Sequence, residues 1–109
     1  MDTNLKQAIL TVLQNYLNFL GNDADTQLQM ISDETNNHYL LVELGWQNGR
    51  RIYGALIHLD IINEKIWIQQ DGTEDGIASE LVAIGIPKQQ IVLGFKSEQR
   101  RRITEFAPS

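Results

Sequence analysis

The sequence predicts an α+β fold: an N-terminal helix, a mainly antiparallel four-stranded meander sheet, a second helix and a short C-terminal strand. Three observations carry this. Apolar residues recur at spacings of three and four over residues 3–20, the repeat of a helix with one buried stripe. Runs rich in β-branched and aromatic residues then flank Asn48-Gly49 and Asn63-Glu64, pairs that suit tight hairpin turns. A cluster of turn and cap residues at 71–76 precedes a second apolar repeat.

In the first helix Leu5, Ile9, Val12, Leu13, Tyr16 and Leu20 form the stripe, Thr3 offers an N-cap, and Gly21-Asn22 supplies a left-handed stop. A strand follows near Thr26 to Ser32, with Leu28 and Met30 alternating and Asn36-Asn37 in the next turn. His38 to Gln47 and Arg50 to Ile62 make a hairpin, and Lys65 to Gln70 adds a strand. Two-residue turns fix a register. Leu44 falls opposite Tyr53, Val42 opposite Ala55, Leu40 opposite Ile57, Ile61 opposite Ile66 and Leu59 opposite Ile68.

Strict alternation then assigns Leu40, Val42, Leu44, Trp46, Tyr53, Ala55, Ile57, Leu59, Ile61, Ile66 and Ile68 to a core face beneath the helix. Tyr39, Leu41, Ile52, Leu56, His58, Asp60, Trp67 and Gln69 share the opposite face, with Tyr39 and Gln69 facing His58. That face is too apolar for water as one patch and is expected to meet a protein partner. In the second helix Asp71 or Thr73 is the cap, with Glu74 completing a capping box. Ile77, Leu81 and Val82 form its stripe, and Gly85 ends it. Ile91 to Phe95 reads as a short strand, and Ser97 to Arg102 as a polar turn.

The 109 residues are expected to make one domain, 1–109. The formal charge is −5. The chain has no cysteine, which excludes disulfides, thiolate metal sites and a thiol nucleophile. No apolar run is long enough to span a membrane, and Met1 to Gln7 lacks a signal pattern, so a cytoplasmic protein is expected. Residues 1–95 carry five basic and twelve acidic side chains, and residues 96–109 four and two. Only the C-terminal segment, with Lys96, Arg100, Arg101 and Arg102, suits contact with a phosphate backbone.

His58 and Asp60 are the sharpest chemical candidate. They share a strand face and, with a divalent metal, would suit hydrolysis of a phosphodiester. A sheet histidine bonded to Gln69 or Tyr39 explains the same residues more simply. The acids at 71–75 lack the spacing of a calcium loop and are explained by capping. Phosphate-binding glycine loops and serine–histidine–aspartate arrangements are missing. No catalytic residue, metal ligand or cofactor is assigned.

Several segments occur together in a familiar order: Val42-Glu43-Leu44-Gly45-Trp46, Arg51-Ile52-Tyr53-Gly54, His58-Leu59-Asp60-Ile61 and Lys65-Ile66-Trp67-Ile68-Gln69. Gln70-Asp71-Gly72-Thr73-Glu74-Asp75-Gly76-Ile77-Ala78, Leu81-Val82, Gly85-Ile86-Pro87-Lys88 and Ile91-Val92-Leu93-Gly94-Phe95 continue the order. This string, spanning about residues 4–107, resembles the XisI-like family, the excision-controlling factor of the fdxN element in filamentous cyanobacteria. The resemblance implies a small α+β, noncatalytic regulatory protein. It would support site-specific excision of a DNA element during heterocyst development, with a companion excision factor, XisH, as partner. A homodimer is the other expected assembly. Direct DNA binding through the C-terminal segment and a metal-dependent nuclease at His58 and Asp60 are the alternatives.

Overall fold

A computed structural model of the chain describes residues 2–20 and 25–109. Helix α1 (Asp2–Leu20) leads into strands β1 (Thr26–Asp33), β2 (His38–Gln47), β3 (Arg50–Ile62) and β4 (Lys65–Asp71). Helix α2 (Ile77–Ala83), a 3-10 turn at Lys88–Gln90, strand β5 (Ile91–Val92) and helix α3 (Glu98–Arg102) follow. The sheet has five strands in sequence order, β1 to β4 antiparallel and β5 parallel to β4. Thr3 lies inside α1 rather than before it. The expected stop at Gly21-Asn22 lies outside the described residues.

The two hairpin turns form where expected. Asn48 and Gly49 have φ of 52° and 77°, and Asn63 and Glu64 have 51° and 62°, the left-handed pairs that match the strand twist. Near these turns the register also follows the alternation, with Leu44 opposite Tyr53, Val42 opposite Ala55, Ile61 opposite Ile66 and Leu59 opposite Ile68.

The register then slips in two places. Leu41 pairs with Ile57 although Val42 pairs with Ala55, so Leu56 is an extra residue in β3. His58 pairs with Gln70 although Leu59 pairs with Ile68, so Gln69 is an extra residue in β4. Each bulge sets two residues against one and reverses the alternation beyond it. Leu40 therefore faces His58 rather than Ile57, Tyr39 faces Leu59 rather than His58, and His58 does not pair with Gln69.

The first slip exchanges the two faces over half the sheet. Tyr39 and Leu41, expected on the partner face, are both 0% exposed beneath α1. They join Ile57, Leu59, Ile61, Ile66 and Ile68 in one cluster with Leu5, Ile9, Val12 and Leu13. Ile77 and Leu81 of α2 close the same cluster. Leu56 also packs against this core, as does Met30. Ile52, paired with Gly45, takes the helix side too. Leu40, Val42, Leu44, Trp46, Tyr53 and Ala55, expected in the core, lie instead on the side away from α1. Trp46 is 58% exposed and Tyr53 73%.

The remaining differences are local. Helix α2 begins at Ile77, after the expected capping cluster, and Gly76 at its N-cap has no side chain to offer. Asp71 serves from a distance: one carboxylate oxygen accepts from the Ile77 N–H at 2.8 Å, the other from the Thr73 N–H at 2.9 Å. Strand β5 stops after two residues, and the expected polar turn is helix α3, capped by Ser97.

Gly45 sits where neighbouring backbone leaves no room for a side chain. A Cβ there would lie 2.0 Å from the Asp25 carbonyl oxygen, which accepts the Trp46 N–H at 3.0 Å. A Cβ on Gly54, on the neighbouring strand, meets nothing within 4 Å. Gly45→Ala is expected to lower stability by about 1–3 kcal/mol, because backbone must move. Gly54→Ala should change it by less than about 0.5 kcal/mol. Urea unfolding midpoints of the two variants check the contrast, and equal midpoints would contradict this packing.

Candidate functional site

The sheet face away from α1 carries one polar cluster. The bulge at Leu56 brings His38, the first residue of β2, directly opposite Asp60 of β3. His58, two residues before Asp60, points to the same side. His38 Nδ1 lies 2.7 Å and His58 Nε2 2.8 Å from the same oxygen, Asp60 Oδ1. Gln69 Nε2 donates to the other, Oδ2, at 3.3 Å. The two imidazoles meet edge to face with centroids 6.2 Å apart.

Asp60 is 7% exposed and is the one buried charged residue among those described. His58 is half-buried and His38 open to solvent. Burial pushes the Asp60 carboxyl up. Hydrogen bonds from His38, His58 and Gln69, with the charge of His58, outweigh it and hold the carboxyl below its ordinary value. The hydrogen bond to Asp60, then the negative charge of Asp60 and that of Asp33, raise His38 above its ordinary value. Asp33 stands beside His38 in the β1–β2 register, but its oxygens accept from the Thr35 and Asn36 N–H groups and the Asn36 side chain.

Of the residues expected on the partner face, the structure gathers His58, Asp60, Trp67 and Gln69 there and removes Tyr39, Leu41, Ile52 and Leu56 to the helix side. His38 was not expected in the site. The register set by the turn places Tyr39, not His38, beside His58, and Gly54, inside β3 two residues before the extra Leu56, is the nearest sequence cue to the slip.

The basic C-terminal residues do not form one free patch. The Arg101 guanidinium lies over the Trp67 ring at 5.3 Å and donates to the carbonyls of Pro108 and Lys96. Arg102 pairs with Glu98 within α3, and the Lys96 ammonium lies over Phe95. Arg100 is exposed. This segment covers the β4 end of the open face and leaves the β2–β3 hairpin uncovered.

The geometry defines a class: a small α+β protein with helices α1 and α2 on one sheet face and a histidine–aspartate cluster on the other. The family model for the XisI protein matches residues 1–108, and the chain belongs to the XisI family. It is similar in structure to a XisI-like protein from Anabaena variabilis, at 39% identity and a TM-score of 0.83, over 94% of this chain and 96% of that one. It is also similar to the fdxN element excision controlling factor XisI from Anabaena variabilis, at 32% identity and a TM-score of 0.85, over 98% and 97% of the two chains. No curated protein matches the chain. No helix among the described residues is long and apolar enough to cross a membrane.

Because the folded chain binds the His38 proton more tightly than the unfolded one, this contact stabilises fully below the ordinary value of 6.5 and fades as pH rises through the folded value. The lowered Asp60 value works from the other side: its contribution is present above 3.8 and is lost as pH falls through the folded value. His38→Ala should therefore cost more stability near pH 5.5 than near about pH 9. Urea unfolding at both pH values measures this, and an equal cost would remove the coupling to Asp60.

Proposed function

We propose that the chain is a noncatalytic regulatory factor that supports excision of a DNA element, acting through a protein partner docked on the open sheet face. The observation that carries this is the inverted polarity of the β2–β3 hairpin beyond the bulge. Its helix side presents Glu43, Gly45, Ile52 and Gly54, and its other side Val42, Leu44, Trp46, Tyr53 and Ala55. On this apolar side Trp46 and Tyr53 are exposed and Val42, Leu44 and Ala55 only half-buried, which is the reverse of what water favours. Arg51 stacks between Trp46 and Tyr53, 5.4 and 5.9 Å from their rings. Tryptophan, tyrosine and arginine are the residues that most often anchor interfaces.

Membership of the XisI family and the likeness to a controlling factor for excision supply the biological setting. A companion excision factor of the XisH kind is the first partner to test, and a second copy of the chain the next. Direct DNA binding through Lys96 and Arg100 to Arg102 draws less support, because Arg101 and Arg102 are already engaged and the net charge is −5.

Combined replacement Trp46→Ser and Tyr53→Ser should leave the fold intact, since both rings are exposed. It should weaken binding to the companion factor by at least about thirtyfold, the effect of losing one interface anchor of about 2 kcal/mol. Titration calorimetry with the purified companion measures this, and size-exclusion chromatography with light scattering reads self-association. Unchanged affinity and unchanged assembly in the double variant would refute the surface.

A further inference from the structure

We infer that His38, His58 and Asp60 form a binding site for one first-row divalent transition-metal ion, of the zinc class. The donor set is two imidazole nitrogens and one carboxylate oxygen, held on two adjacent strands, with the three atoms within 4.8 Å of one another. In a tetrahedral zinc site, bonds of about 2.0–2.2 Å set donors roughly 3.3 Å apart. The two nitrogens stand 2.7 and 2.8 Å from Asp60 Oδ1, so small side-chain rotations that open these contacts admit an ion at their centre.

The surroundings suit a metal better than a hydrogen-bonded triad requires. Asp60 is buried, and Gln69 fixes its second oxygen at 3.3 Å, the outer support that orients a ligating carboxylate. The His38 side faces solvent, which leaves a way in and room for water to complete the coordination. Two neutral nitrogens with a single carboxylate favour zinc, cobalt or nickel over magnesium, which prefers six oxygens. The opposite reading is an empty triad in which both imidazoles only donate to Oδ1. It predicts no affinity for any of these ions.

The test uses the full chain without a histidine tag, stripped with chelator, and zinc or cobalt chloride as the probe. Calorimetry should give one zinc per chain. Cobalt should give a visible ligand-field spectrum, and magnesium should not compete. His38→Ala, at a solvent-exposed position, should keep the fold by circular dichroism and weaken zinc binding by at least about tenfold. His38→Ala combined with His58→Ala should abolish the cobalt spectrum. No zinc heat, a preference for magnesium, or equal affinity in the folded double variant would overturn the site.

Discussion

The bulge at Leu56 is the constraint on which the rest of the molecule depends. One extra residue in β3 makes Leu41, not Leu40, the partner of Ile57. Without it, Tyr39 and Leu41 would turn away from α1, and the stripe of Leu5, Ile9, Val12 and Leu13 would meet a different set of β2 side chains. With it, the inner half of the sheet matches the helix, and the outer half of the hairpin shows its apolar side to the opposite direction. A single inserted residue thus separates a buried zone from a bare zone along the same two strands.

The same slip makes the polar cluster. His38 meets Asp60 because β2 is shifted by one residue against the inner half of β3. The second bulge, at Gln69, lies on the adjoining strand, and Gln69 reaches Asp60 from there. A carboxylate on a sheet at 7% exposure would be costly if unpaired. Three donors from three strands offset that cost and tie β2, β3 and β4 together on the face away from α1 and α2. The covered face is held by apolar contact, and the other side of the same strands by directed polar contacts.

The turns were legible in the sequence because their chemistry is local. Asn48-Gly49 and Asn63-Glu64 need left-handed backbone, and the pairing next to each turn follows from its length. The bulge was not legible, for a physical reason. Tyr39, Leu40, Leu41 and Val42 are consecutive apolar residues, as are Ala55, Leu56 and Ile57. Alternation cannot choose a phase where both phases are apolar, and Gly54, two residues before Leu56, hints at an irregularity without fixing which residue is extra. The assigned face was therefore right for Ile57, Leu59 and Ile61 and inverted for Leu40, Val42 and Leu44. His58 and Asp60 were placed on one face correctly, since that needs only their spacing. His38 needed the cross-strand register and was missed.

The C-terminal segment shows why charge counted along the sequence is a poor guide to charge presented in space. Lys96 and Arg100 to Arg102 look like one basic patch in the chain. Folded, Arg101 turns inward over Trp67 and ties α3 to the backbone at Lys96 and Pro108, while Arg102 is spent on Glu98. Lys88 pairs with Glu105 beside it. The basic side chains act here as clamps that close the sheet at β4 and β5. This closure is one-sided: the open face is capped at the β4 end and bare over the hairpin. With Arg101 and Arg102 engaged within the C-terminal segment, Arg100 is the arginine of that run left open, on a chain of net charge −5. The exposed rings of Trp46 and Tyr53 lie on the hairpin, away from the Trp67 ring that Arg101 covers on β4.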